Sequence, residues 1–124
     1  TSYIARVLLK QNAYGKGILS KDVNFFEDLL SVIERIEQWH YDRNLIEGAT
    51  DKDQVCKLIQ EVGELSDNVC KERDVADDIG DIIVVLINIA ARNGLSLQHC
   101  LNVAYHDIKD RKGRMVDGIF IKEE

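Results

Sequence analysis

Residues 79–90 are apolar nearly all round, with Ile79, Ile82, Ile83, Leu86, Ile87, Ile89 and Ala90, and a helix of that kind is ordinarily central and buried. At about 100° per residue, Asp74, Asp78, Asp81, Asn88 and Arg92 nevertheless fall along one narrow polar seam of it. A buried ionised carboxylate without a partner is very costly, so Asp81 in this setting demands a cation or a set of donors. Any fold open to this chain has to satisfy that seam.

The preceding helix adds to the demand. Glu61 and Glu64 are spaced i, i+3, as Asp78 and Asp81 are, so each pair can aim two carboxylates at one spot. Val55, Leu58, Ile59, Val62, Leu65 and Val69 predict the core stripe of this helix, with Glu61 and Glu64 at its flank beside Lys57 and Asn68. Side by side, the two helices make a four-carboxylate cage, and clustered carboxylate oxygens suit Mg²⁺ or Mn²⁺. A helical Glu pair alone is usually a solvated face. The carboxylate seam on the most apolar helix turns the reading toward a metal site. The EF-hand spacing is absent from residues 74–81, DVADDIGD.

Around these two helices the chain reads as a helical bundle. Phe26, Leu29, Leu30, Ile33, Ile36 and Trp39 or His40 predict a helix over 24–41, capped by Asp22 or Asn24. Thr50 or Asp51 caps a second over 53–71, the seam helix spans 74–93, and Gly94 ends it as a left-handed residue. Acidic Asp74 and Asp77 also complement the N-terminal dipole of that helix, which is reason enough for their presence. Ser96 caps a last helix running to 108, with Leu97, Leu101, Ala104 and Ile108 facing inward. Residues 118–121 read as a short strand or ordered arm. No proline interrupts the chain. The expected fold class is therefore all-α: a compact bundle of about four helices over 23–124, preceded by an arm over 1–22. Within that arm Gly15-Lys16-Gly17 lacks the spacing of a phosphate-binding P-loop.

Composition narrows the function. A net charge of −6 argues against a general nucleic-acid binder. No run approaches the roughly 18 apolar residues of a membrane span, and no segment reads as a secretory signal. Cys56, Cys70 and Cys100 are odd in number and form no C-x-x-C pair, so they read as reduced core thiols of a cytoplasmic protein.

The motifs at the centre of the chain resemble those of the MazG-like, all-α nucleoside triphosphate pyrophosphohydrolases, marked by E-x-x-E and a later E-x-x-D. Here they stand as Glu61-Val-Gly-Glu64 and Asp78-Ile-Gly-Asp81. Gly63-Glu64-Leu65, Gly80-Asp81-Ile82-Ile83 and Asn88-Ile89-Ala90-Ala91-Arg92 are similar to the surrounding family residues, and Lys109-Asp110-Arg111-Lys112-Gly113-Arg114 is similar to the basic segment of small stand-alone members. Three positions depart from the pattern: Asp78 stands in place of Glu, Gln60 in place of a further Glu, and His106 in place of Asn.

The resemblance implies hydrolysis of a nucleoside triphosphate to the monophosphate and pyrophosphate, with Mg²⁺, or alternatively Mn²⁺, held by Glu61, Glu64, Asp78 and Asp81 as the catalytic carboxylates. Lys109, Arg111 and Arg114 would brace the phosphates. Trp39 would stack on the base and Asn88 would contact the sugar or the hydrated metal, against the plainer readings of a bundle plug and a satisfied core amide. It also implies a homodimer or homotetramer, with sites completed near subunit contacts. Two other expectations stand beside this one: a hydrolase of a guanosine alarmone, and a non-catalytic oligomeric bundle that uses the carboxylates only to hold metal.

Overall fold

The computed structural model describes residues 28–123. Among them are four helices and a two-stranded antiparallel hairpin: α1 (Leu29–Asp42), α2 (Asp51–Cys70), α3 (Ala76–Arg92), α4 (Leu97–Ile108), β1 (Gly113–Val116) and β2 (Ile119–Lys122). The described residues are thus mainly helical, as expected, with a small two-stranded sheet beside the helices. The arm over 1–22, and the start of the first helix with its caps Asp22 and Asn24, lie outside the described residues.

Local chemistry sets the helix ends. Thr50 caps α2 through a reciprocal box: its Oγ1 accepts from the Asp53 N–H at 3.1 Å, while Asp53 Oδ2 accepts from the Thr50 N–H at 3.3 Å. Asp74 Oδ1 accepts from the Ala76 N–H at 3.0 Å, so Asp74 serves the entry of α3 rather than its seam. Gly94, at φ 70°, closes α3 in a Schellman turn, with Leu95 N–H donating to Ala90 O at 2.9 Å and Gly94 N–H to Ala91 O at 3.1 Å. Ser96 Oγ accepts from the His99 N–H at 3.1 Å and starts α4.

Helices α2 and α3 pack along one another, α4 touches α3, and the hairpin pairs with itself. Among the described residues the buried apolar ones are Ile33, Ile46, Val85, Ile87 and Ala90. This core is smaller than the sequence predicts, and the difference is one of helix rotation. On α2 the face turned inward carries Gln54, Leu58, Glu61, Leu65 and Asn68, at alternating four- and three-residue spacing, and Glu61 is its most buried member. Val55, Ile59, Val62 and Val69, expected in the core, form the adjacent stripe and are exposed. Ile79, Ile83 and Leu86 do the same on α3. On α4 no residue is buried: Leu101 and Ile108, expected inward, are half exposed, because α4 leaves α3 at a bend of 99°. Cys56 and Cys70 are likewise exposed rather than core thiols, and all three cysteines are free.

Of the segment 118–121, read as a short strand or ordered arm, residues 119–121 lie in β2, which pairs with β1 in a hairpin. Asp117 and Gly118 have φ of 50° and 80°, and Val116 pairs with Ile119 across them, which is a two-residue primed turn. Gly113 pairs with Lys122 at the open end, where a Cβ would collide with the Ile121 carbonyl and the Phe120 ring. The basic segment 109–114 runs from the end of α4 into β1. Among the described residues no single helix is long and apolar enough to cross a membrane.

Candidate metal centre

Three carboxylates meet where α2 and α3 face each other. Glu61, Glu64 and Asp81 each offer an oxygen, and these oxygens lie within 4.8 Å of one another. The pair from α2 sits one turn apart, and Asp81 comes from the second turn of α3. Glu61 is buried, Asp81 half-buried and Glu64 exposed, so the cluster opens from the helix interface toward solvent.

The electrostatics of the cluster are those of crowded negative charge. Burial, followed by the charges of Asp77, Glu61 and Asp78, pushes the Asp81 carboxyl above the ordinary Asp range. The charge of Glu61 does the same to Glu64. One oxygen of Glu61, Oε1, pairs with Lys57 Nζ at 3.0 Å. The other, Oε2, is buried and has no hydrogen-bond partner among the described residues. A buried carboxylate oxygen in that condition is rare and costly, and an oxygen-loving divalent cation between Glu61, Glu64 and Asp81 satisfies it. The donor set therefore fits Mg²⁺ or Mn²⁺.

Asp78, the fourth expected ligand, stands beside this group and not in it. It is buried one turn before Asp81, and its Oδ2 accepts from Asn68 Nδ2 at 2.8 Å. Its side chain is one methylene shorter than the Glu expected there, and Asn68, seven residues after Glu61 on the same face of α2, holds it. That spacing was legible in the sequence, although the role of Asn68 was not.

Asn88 is fully buried and engaged. Its Nδ2 donates to Leu45 O at 2.9 Å and lies 3.2 Å from His40 Nδ1, while His40 Nε2 lies 2.9 Å from Val84 O. A carbonyl only accepts, so Nε2 carries the proton and Nδ1 accepts from the Asn88 amide. Arg92 donates to Ile46 O and to Asp51 Oδ1, and Asn93 Nδ2 donates to Asp51 Oδ2. Together these bonds clasp the connection 43–50 against α3. Of the seam residues, then, Asp81 faces the acidic cluster while Asn88 and Arg92 fasten a loop, and the plainer reading of Asn88 as a satisfied core amide describes its Nδ2. Asn88 Oδ1 is buried with no hydrogen-bond partner among the described residues.

Where the sequence left Trp39 or His40 open for the inward position of α1, the structure buries His40. Trp39 is 43% exposed and so does not plug the bundle. Its ring is covered by the Arg43 guanidinium, 4.4 Å from the centroid. The His40 contact to Val84 brings this end of α1 within about one turn of Asp81 along α3.

The basic residues lie elsewhere. Arg111 pairs with Asp107 at 2.9 Å, Lys109 Nζ is 3.7 Å from Asp110, and Arg114 is exposed on β1. Asp81 lies about three turns before the end of α3, and the 12-residue α4 departs there at 99°. At about 1.5 Å per residue this puts Lys109 and Arg111 on the order of 20 Å from Asp81, beyond the reach of either side chain.

No family model and no solved structure matches the chain. It is similar to an uncharacterized 18.2 kDa protein in the rep-hol intergenic region of Haemophilus phage HP1, strain HP1c1, with 44% identity over 68 residues. The match covers 53% of this chain and 42% of the phage protein, so the chain spans less than half of that relative's length.

Proposed function

We propose that Glu61, Glu64 and Asp81 hold a divalent cation and that the protein is a metal-dependent nucleoside triphosphate pyrophosphohydrolase. The observation that carries the reading is the buried, unpartnered Oε2 of Glu61 inside a three-carboxylate cluster. The motif order supports the reaction class: E-x-x-E and D-x-x-D lie on the facing helices, as in the MazG-like enzymes that the sequence resembles. A bound Mg²⁺ or Mn²⁺ supplies charge neutralisation and Lewis acidity toward a phosphate chain. The residues of the chain orient and select: Glu61, Glu64 and Asp81 set the cation's position, Asn68 fixes Asp78 beside them, and exposed Trp39 offers a face to a base.

A second copy completes this reading. Lys109 and Arg111 do not reach the cluster of their own chain, so they meet its phosphates only from a neighbouring protomer in a homodimer or homotetramer. The exposed stripes Val55/Ile59/Val62/Val69 and Ile79/Ile83/Leu86 give such an assembly its apolar surface, as does a groove of about 430 Å³ between α3 and α4 lined in part by Leu86, Ile89, Leu97 and Leu101.

The remoteness of the basic residues also favours a second reading, a metal-holding bundle without turnover. Hydrolysis assays over ribo- and deoxyribonucleoside triphosphates and a guanosine tetraphosphate, with Mg²⁺ and with Asp81→Asn as control, separate the readings. Pyrophosphate release from a triphosphate, lost in the variant, is the expected result; turnover of the tetraphosphate alone reassigns the substrate; metal binding without any turnover leaves the non-catalytic bundle.

A further inference from the structure

Lys57 lies one turn before Glu61 on α2, with its Nζ 3.0 Å from Glu61 Oε1. An i, i+4 Lys–Glu pair on a solvated helix face is common and does little. This one is different on its acid side: the Glu61 side chain is 8% exposed, while that of Lys57 is 55% exposed. The ammonium therefore reaches from solvent to the buried end of the cluster. The hydrogen bond to Glu61, then the charges of Glu61, Glu64 and Asp81, hold Lys57 above its ordinary range, so its field falls on all three carboxylates.

We propose that Lys57 is the resident counter-ion of the cluster, displaced from Glu61 Oε1 when a divalent cation binds and then free to hold the polyphosphate anion that the cation carries. Lys57 on Oε1 and a divalent cation on the open Oε2 stand on the two oxygens of one carboxylate and repel each other strongly, and the multiply charged one wins. The Lys stem is flexible and more than half exposed, so the ammonium can swing outward while its three donors remain usable. What it then meets is the anionic side of the site, which Lys109 and Arg111 of the same chain do not reach. The inference rests on the cation site proposed above and adds to it a built-in competitor that becomes an anion ligand. Lys57 is in this sense a positioning and binding residue, and it explains how a cluster of crowded carboxylates folds before any metal arrives.

The test uses the full chain, calorimetric titration with Mn²⁺, and then titration of the Mn²⁺-saturated protein with inorganic pyrophosphate. In Lys57→Gln the Mn²⁺ affinity rises about five-fold, because a repelling charge is gone. Pyrophosphate affinity falls about ten-fold, because a charge-assisted hydrogen bond is lost. Lys57→Arg, which keeps the charge, brings the Mn²⁺ affinity back to that of the wild type and returns most of the pyrophosphate affinity. Opposite movement of the two affinities is the signature, since a merely structural helix pair moves neither. Unchanged or weakened Mn²⁺ binding in Lys57→Gln overturns the competitor role, and unchanged pyrophosphate binding overturns the anion role, with the cation site intact in both cases. A wild-type protein that binds no Mn²⁺ overturns the cation site itself and this inference with it.

Discussion

Asn68 Nδ2 donates to Asp78 Oδ2 at 2.8 Å, across the interface of α2 and α3 and one turn away from the oxygens of Glu61, Glu64 and Asp81. The bond divides four similar carboxylates into three that face a common point and one that is held beside them. Asp78 still contributes charge, since it helps raise both Glu64 and Asp81. Its oxygen is engaged by an amide rather than left open.

That division predicts unequal effects on metal binding. Glu61→Gln and Asp81→Asn abolish Mn²⁺ binding in calorimetry, whereas Asp78→Asn weakens it by about 10-fold, as expected of a group that supports the ligands from behind. Loss of binding in Asp78→Asn as complete as in Asp81→Asn would place Asp78 among the ligands.

Asn88 predicts stability rather than affinity. Replacing it by Ala removes the donor to Leu45 O and to His40 Nδ1 and leaves both acceptors buried, at a cost of about 2–3 kcal/mol in urea unfolding. The substitution leaves Mn²⁺ affinity within about two-fold of wild type, because Asn88 lies about two turns beyond Asp81 on α3. A variant with wild-type stability and lost nucleotide binding would instead make Asn88 a ligand contact.

The Asp51–Arg92 pair predicts an acid limb. Hydrogen bonds from Arg92 and then Asn93 hold the Asp51 carboxyl below its ordinary value of 3.8. A carboxylate lowered by folding stabilises above its unfolded value and loses that contribution as pH falls through its folded value. Wild type should therefore melt above Asp51→Asn at neutral pH, with the gap closing below about pH 4. A gap that persists at pH 2 would show that the variant acts through something other than this charge.

Ile59 tests assembly. It is 65% exposed in a single chain, so Ile59→Glu is harmless to an isolated protomer. In an oligomer that buries the α2 stripe, the same change places an unpaired charge in an apolar interface. Light scattering should find a multiple of the 14.1 kDa chain mass for wild type and a smaller species for the variant. A monomeric wild type would remove the assembly from the proposed function.

Much of this arrangement could be read in the chain itself. Helix positions follow from apolar spacing and caps: Thr50, Ser96 and Gly94 act locally, and local signals do not depend on what packs later. The i, i+3 spacing of Glu61 and Glu64 likewise places two carboxylates on one helix face whatever packs against it. The second strand of the hairpin was legible too, in the apolar run after Gly118, whereas its partner over 113–116 carries no comparable local signal.

Other features belonged to the tertiary structure alone. Periodicity gives a stripe its spacing but not its rotation, so the sequence could not decide whether α2 would turn Glu61 or Ile59 toward α3. Nor could spacing decide that Asn68 would capture Asp78, or that α4 would leave α3 at 99° and carry the basic residues away from the acids. Those outcomes depend on how two helices dock and how a four-residue connection bends, where packing and desolvation act between residues far apart in the chain. The sequence determined which residues carry the charge; the docking of α2 on α3 decided which of them meet.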